Sequence, residues 1–385
     1  MRSNKNSGPD RAVSENVRST LREGLLRWYR ENGRDLPWRK SYIPYQVWIS
    51  EIMLQQTQIK TMLPYFFRWM ERFPHPAAIA EASEDEILRH WEGLGYYARA
   101  KNIQKAARLM VSEHGGNLPS DFESVRKLPG VGQYTAGAIM SFAFNADFPA
   151  ADANAARILA RIFDISIPSD CKEFRNAVWY YATDILPKGR SRDFNQALMD
   201  FGSMVCSPRG PLCGGCPIAS CCESMRLGVA EARPVNRAKK TVTNVDRAIG
   251  ICIGKGEVLL RKRPAQGLMP NLWEFPGGEA RSGESPEEAL RRAWHEEFGA
   301  EPGQLEKLAV IKHSHTSFRV TLHVFLCNTF PREMRGLTSR VRLIPAADLD
   351  SLAFPSAHRK AIRDLAEKRP ELFSIRPSNK ILLPL

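Results

Sequence analysis

Four cysteines stand at the spacing Cys206-x6-Cys213-x2-Cys216-x5-Cys222, and thiols so close in sequence fold their loop back on itself once they serve a common centre. Six of the eight cysteines fall between residues 171 and 222. The opening stretch MRSNKNSGPDRAVSEN is polar and lacks the apolar core of a secretory signal, so the expected setting is cytoplasmic, and nucleoid-associated in a bacterium. Thiols stay reduced there, and a tight group points to a metal rather than to disulfides. Four thiolates suit tetrahedral zinc or an iron–sulfur cluster, and spacing leaves both open. Cys221 beside Cys222 leaves two candidates for the last ligand.

The same loop marks a change of texture. Before it, from about residue 15 to 205, apolar residues recur at helical spacings, as in YQVWISEIMLQQTQIKTML and NAARILARIFDI. After about residue 243 come short strand-like runs, AIGICIG, EVLLRKR, LAVIKH and FRVTLHVFLC, around one helix whose Ser285 and Glu288 form a capping box. A chain of 385 residues exceeds what one core organises. The expected organisation is a disordered tail over 1–14, a helical domain over 15–230, a basic linker over 231–245, an α+β domain over 246–372 and a tail over 373–385. No apolar run approaches the roughly 18 residues of a membrane helix. The net charge of +13 suits a polyanionic partner, and it is spread along the chain with a local concentration in EARPVNRAKK, a solvated linker or a phosphate contact.

LPGVGQYTAGAI, residues 128–139, sets two glycines before an amphipathic helix. Such a turn is a plain helical corner or a phosphate grip, because a helix N-terminus presents unpaired N–H groups. Asp152, ahead of an apolar-striped helix, reads as an N-cap, and the helix dipole is expected to lower its pKa. Glu51 lies among Trp48, Ile49, Ile52, Met53 and Leu54, and is either a surface acid at the edge of an amphipathic helix or a buried one, whose pKa burial would raise to make a general acid.

The cysteine spacing, the hairpin, WISEIMLQQTQ, LPWR at 36–39 and GLGYYARA at 93–100 together resemble the MutY-type adenine glycosylases of the endonuclease III superfamily, over most of residues 30–225. The resemblance implies an all-α helix-hairpin-helix glycosylase domain with an iron–sulfur loop, in which Cys206, Cys213, Cys216 and Cys222 ligate a 4Fe–4S cluster. It implies that Gly130, Val131 and Gly132 hold the DNA backbone, that Gln56 and Tyr96 fill or wedge the duplex, and that Trp38, Arg39 and Gln196 lie near a flipped adenine. Glu51 would protonate the base, and Asp152, followed by Asn154 in ADAN where VDGN is common, would support the sugar cation. Bifunctional relatives carry a lysine where this chain has Tyr134, so strand-cutting activity is expected to be weak or absent. The implied partner is double-stranded DNA with 8-oxoguanine:A or G:A mispairs, met by a monomer with no membrane association.

GGEARSGESPEEALRRAWHEEFGA, residues 277–300, follows the Nudix pattern G-x5-E-x7-R-E-U-x-E-E-x-G-U through Gly278, Glu284, Arg292, Glu296, Glu297 and Gly299, but Ala293 replaces a glutamate. Losing a ligand from a hard-cation cage should impair metal binding and water activation while the fold persists. The segment resembles the MutT-like C-terminal domain with which MutY-type enzymes recognise 8-oxoguanine. In KHSHTSF, Ser314 and His315 match the family's Phe-Ser-His loop, and His313 stands where phenylalanine is usual. Three other readings compete. An endonuclease III-like glycosylase for oxidised pyrimidines is opposed by Tyr134 and the C-terminal domain, a nucleotide pyrophosphohydrolase with a DNA-binding appendage by Ala293, and a non-catalytic DNA-binding module by the pair Glu51 and Asp152.

Overall fold

Helical periodicity becomes helix across the first part of the chain: α1 (Glu15–Asn32), α2 (Trp38–Ser41), α3 (Pro44–Leu54), α4 (Ile59–Arg72), α5 (Pro76–Glu81), α6 (Glu84–Trp91) and α7 (Ala98–Glu113). The hairpin follows as α8 (Phe122–Lys127) and α9 (Gln133–Phe144), then α10 (Ala153–Ile162), α11 (Lys172–Asp184), α12 (Ser191–Met204) and α13 (Glu223–Arg226). This computed structural model describes residues 12–236, 242–254, 256–315, 318–328 and 340–372. Residues 1–11 of the expected tail over 1–14, the expected tail over 373–385, and residues 237–241 of the expected linker lie outside the described residues. Val13 moves the tail's boundary: its side chain joins the helical core and its N–H donates to Asp184 at 3.2 Å, and Ser14 caps α1.

The chain forms two compact units, Met1–Ala80 with Lys105–Lys239, and Glu81–Gln104 with Lys240–Leu385. The second therefore includes α6 and a loop from within the helical stretch. In the first unit, α1, α10, α11 and α12 share a core that includes Leu21, Leu25, Ile158, Leu159, Phe194 and Phe201. A smaller cluster of Val47, Ala138, Phe142, Ala150 and Met199 joins α3, α9 and α12 and takes in Tyr134. Helix α3 is buried from Val47 to Met53, so whatever its sequence places there must sit in the interior. The start of the expected linker is likewise tied to this unit: Ser169 donates its N–H to the Val235 carbonyl at 2.8 Å, and Arg233 pairs with Asp164 at 2.7 Å.

The second unit is built on a sheet of β1 (Thr243–Gly254), β2 (Glu257–Lys262), β3 (Trp273–Glu274), β4 (Gly277–Glu279), β5 (Leu305–His315), β6 (Phe318–Cys327) and β7 (Val341–Pro345). The order is β3-β2-β1-β6-β5, with β4 on β1 and β7 on β2, and β1 runs parallel to β6. Strand β1 begins inside the expected linker, at Thr243. Its residues alternate between faces, Ala248 and Cys252 meeting α14 (Pro286–Phe298), Ile249 and Ile251 meeting α15 (Ser356–Lys368). Both faces are covered, which is why AIGICIG reads as continuously apolar. Ser285 and Glu288 form the expected capping box on α14. Among the described residues, no helix is long and apolar enough to cross a membrane.

Two helix glycines permit close crossings in the first unit. A Cβ on Gly137 of α9 would lie 2.2 Å from the Pro149 carbonyl oxygen, and one on Gly202 of α12 would lie 2.7 Å from the Asn154 Cβ. Gly137→Ala should therefore destabilise the protein by about 1–3 kcal/mol despite the better helix propensity of alanine. Urea unfolding measures it, and unchanged stability would contradict the crossing.

Candidate active site

Glu51 is 5% exposed and lies on the buried helix α3. Burial pushes its carboxyl up to about 7, and the nearby charge of Asp152 adds to the rise. A hydrogen bond from the Tyr134 hydroxyl to Glu51 Oε2, at 3.2 Å, and the cation of Arg39 oppose it. Protonated near neutrality, Glu51 can give up a proton to a base brought against it. Tyr134 stands in the first turn of α9, and burial together with the charges of Glu51 and Asp152 keeps its phenol un-ionised.

Asp152 caps α10, as its sequence position suggests, accepting the Ala155 N–H at 2.7 Å. Its pKa corrects the sequence expectation. Burial raises it, outweighing the Ala155 N–H and the Asn154 amide, which donates to Asp152 Oδ2 at 2.9 Å. Desolvation of the carboxylate therefore outweighs the stabilisation that a helix N-terminus gives an anion. Asn154 is itself held by Arg157, whose guanidinium reaches Asn154 Oδ1 at 2.9 Å, the Gly202 carbonyl at 2.6 Å and the Cys206 carbonyl at 2.9 Å. Arg157 was invisible as a site residue in the sequence, where it reads as one polar position on a striped helix.

Glu51, Tyr134, Asp152 and Asn154 line one cavity of about 790 Å³, together with Trp38, Arg39, Gln56 and Gln196. The three residues expected near a flipped base reach the cavity in different ways. Trp38 is 3% exposed and packs edge-on against Phe66 with ring centroids 5.1 Å apart. Arg39 forks onto Asp200 at 2.7 and 3.0 Å, and Arg34 grips the same carboxylate, which is fully buried. Asp200 is the principal residue the sequence reading missed: its partners lie more than 160 positions away, and the only local signal is an acid inside the apolar run ALMDFG. Gln196 accepts the hydroxyls of Tyr29 at 2.6 Å and Tyr42 at 3.3 Å on Oε1, which commits its amide end to donating.

The hairpin has the expected form. Gly130 takes φ +81°, Val131 is buried with its N–H on the Leu128 carbonyl at 3.0 Å, and Gly132 stands at the start of α9 with no side-chain cap. Gln56 and Tyr96, one in each unit, are non-glycine residues in the left-handed region, at φ +57° and +47°, and both are exposed. Strain of this kind persists where the surroundings impose it, and it gathers at functional loops.

Cys206, Cys213, Cys216 and Cys222 line a single pocket, Cys222 rather than Cys221 being its last thiol. Among the described residues, no three His, Cys, Asp or Glu side chains are placed to hold one metal ion together. Burial, then repulsion from Cys206, Cys222 and Cys213, pushes the Cys216 thiol up to about 11. Arg161, 1% exposed, braces the loop by donating to the carbonyls of Ala230 at 2.7 Å, Ser207 at 2.7 Å and Pro208 at 3.1 Å, and to the Cys206 sulfur at 3.3 Å.

In the second unit, arginines occupy the carboxylates of the Nudix box. Arg292 bonds Glu284 at 2.7 and 2.9 Å and holds it at about 2, and Arg261 joins Glu297 at 2.6 Å to Glu274 at 2.7 Å. Ala293 is packed against Gly278, on which a Cβ would lie 2.9 Å from the alanine methyl. Ser314 is exposed near the end of β5, paired with Arg319. The side chain of His315, with Thr316 and Ser317, lies outside the described residues.

Residues 49–180 match the family model described as HhH-GPD superfamily base excision DNA repair protein, and residues 248–364 match the NUDIX domain. The adenine DNA glycosylase of Mus musculus is 33% identical over 362 residues, covering 80% of this chain and 70% of its own. The chain belongs to the adenine DNA glycosylase family. A relative of the same description from Buchnera aphidicola subsp. Schizaphis graminum is 36% identical over 253 residues, covering 66% of this chain and 73% of its own. The solved structure of a thermostable thymine-DNA glycosylase is similar in fold, with a TM-score of 0.51 at 28% identity over 55% of this chain and 98% of that one. This glycosylase is thus a base-excision repair enzyme that joins a helix-hairpin-helix domain to a Nudix-like one.

Two outcomes follow from Glu51. Its carboxyl rests at about 7 in the folded protein against an ordinary 4.5, so the native state holds the proton more tightly than the unfolded chain. Stability is full below the ordinary value and falls as pH rises toward 7, by about 3 kcal/mol. Glu51→Gln should stabilise the protein at pH 8 by up to that amount and hardly at all at pH 4.5, as thermal unfolding at the two pH values will show. Tyr134→Phe removes a donor to the carboxylate, so the alkaline limb of base release should move to higher pH, and a shift to lower pH would contradict the bond's role.

Proposed function

We propose that this glycosylase is monofunctional and removes adenine mispaired with 8-oxoguanine or guanine. The observation that carries the proposal is a buried carboxyl poised near neutrality and touched by a tyrosine hydroxyl in place of an amine nucleophile. Adenine leaves the stack and enters the cavity lined by Glu51 and Asp152. The Glu51 proton passes to adenine N7. The bond from C1′ to N9 then breaks with its electron pair going to the base, and positive charge develops on the sugar. Asp152 supports that charge, with Asn154 and Arg157 orienting its carboxylate. Water adds at C1′ and loses a proton to Glu51, which leaves free adenine and an abasic site. No imine forms, because Tyr134 cannot supply one. Gln196 offers amide donors to the purine, while Trp38 and Arg39 wall the cavity.

The turn of Gly130, Val131 and Gly132 holds the phosphate backbone without reading sequence. Gln56 and Tyr96 enter the duplex, and Ser314 and His315 contact the 8-oxoguanine edge. A 4Fe–4S cluster fits the donor set, since each thiolate of such a cluster binds its own iron and the four thiols are spread round one pocket. Cys206, Cys213, Cys216 and Cys222 would hold it, and it would supply a rigid, redox-capable centre to the loop. The enzyme acts on chromosomal DNA as a monomer.

Single-turnover release from duplexes with 8-oxoguanine:A, G:A, T:A or an oxidised pyrimidine tests the reading. Rapid adenine loss opposite 8-oxoguanine, with strand breaks only after alkali, is expected. Glu51→Gln and Asp152→Asn should each slow release at least about 100-fold while duplex binding persists. Release of the oxidised pyrimidine, or strand cleavage without alkali, would overturn the assignment.

A further inference from the structure

The loop between α6 and α7 is held in an uncommon shape. Gly93, Gly95 and Tyr96 all take left-handed backbone angles, at φ +102°, +71° and +47°, and the Tyr96 ring is 42% exposed. Local bonds brace it: the Trp91 indole donates to the Gly95 carbonyl at 3.0 Å, and Arg99 donates to the carbonyls of Leu94 at 3.0 Å and Gly95 at 3.1 Å. An exposed aromatic fixed on such a loop offers a face on which a nucleic-acid base can stack.

Immediately before the loop stands Glu92, whose carboxylate takes its hydrogen bonds from far along the chain, while Arg89 of α6 approaches it only to 3.8 Å. Arg359 of α15 forks onto it at 2.6 and 3.1 Å, and the Phe354 N–H donates to it at 2.9 Å. Both partners of the ion pair are only 8% exposed. Arg359 is itself positioned by the carbonyls of Leu349 at 3.2 Å and Leu352 at 2.6 Å, and its guanidinium lies 4.9 Å from the Phe354 ring centroid. On the far side of the loop, Tyr97 donates to the Phe354 carbonyl at 3.4 Å. At the start of α6, Lys262 pairs with Asp85 at 2.7 Å and Asn271 donates to Glu84 at 2.6 Å. The loop carrying Tyr96 is therefore gripped at both ends by the Nudix-like unit.

We propose that Arg359 and Glu92 are positioning residues for Tyr96, so that the Nudix-like unit sets the aromatic that enters the duplex as well as the surface that meets the opposite base. The inference rests on the reading that Tyr96 stacks in DNA. It adds that this stacking is controlled from α15, 263 positions further along the chain. A fork between two buried charged groups suits the task, because its geometry is fixed in two bonds and neither partner can shift without stranding the other.

The test uses the full-length protein and a duplex with 2-aminopurine beside 8-oxoguanine, whose fluorescence reports stacking next to the lesion. Tyr96→Ala should abolish the fluorescence change and slow single-turnover adenine release roughly tenfold. Arg359→Gln should reproduce both effects, Arg359→Lys should restore part of the fluorescence change, and the double variant should be no slower than Tyr96→Ala alone. If Tyr96→Ala is defective while Arg359→Gln matches the wild type, or if the two losses multiply, the positioning role is overturned and the stacking role stands. If Tyr96→Ala itself behaves as the wild type, the stacking role fails. Circular dichroism checks folding, and should Arg359→Gln unfold, Tyr97→Phe removes only a hydroxyl and must weaken the fluorescence change, an unaltered signal overturning the proposal.

Discussion

A carboxyl group sealed inside an apolar helix is the constraint on which the catalytic unit depends. Glu51 is buried because α3 is buried almost throughout, and that burial is what leaves its proton in place near neutral pH. The same burial is costly to stability once the proton is lost, which is tolerable only at a site where the proton has a use. Tyr134 moderates the cost by donating to the carboxylate, and Asp152 works against it. Burial raises both acids, and they differ in their donors: Glu51 has the Tyr134 hydroxyl, Asp152 the Ala155 N–H and the Asn154 amide.

Buried arginines convert this site into a fixed geometry. Asp200 holds Arg34 and Arg39 at the cavity wall, and Arg157 runs from the Cys206 carbonyl to Asn154, which bonds Asp152. Arg161 fastens the backbone of the cysteine loop with most of its guanidinium donors. Each guanidinium has more donors than one partner can accept, so each ties several segments at once. The cysteine loop and the catalytic cap are accordingly parts of one bonded assembly.

In the Nudix-like unit, arginines hold the carboxylates of the box. Carboxylates that a divalent ion would draw together are divided between Arg261 and Arg292, and Ala293 sits against Gly278. The Nudix-like fold is kept with Ala293 where the box pattern has an acid. Its sheet and α15 serve as a support, and what they support includes the segment from Glu81 to Gln104.

Much of this was legible along the chain. Periodicity located the helices, the capping box located α14, the glycines located the hairpin, and the family motif around Glu51, more than its apolar neighbours alone, pointed to a buried acid of raised pKa. Signals that reside in a few adjacent residues survive in a sequence because local geometry and solvation act over a few adjacent residues. Helix α15 was passed over although Ala357, Ala361, Ile362 and Leu365 carry its stripe, and β3, β4 and β7 are too short to alternate visibly. The raised pKa of Asp152 depended on how deeply its helix terminus is enclosed, and the partners of Arg39, Arg157 and Arg359 depended on which distant groups packing brings within bonding distance. The sequence by itself determined the family, the kinds of fold and the acids that can do the chemistry. Only the tertiary structure decided that Asp200 locks the cavity wall and that the Tyr96 loop belongs to the Nudix-like unit, because hydrogen bonds and burial across hundreds of positions exist only once the chain has packed.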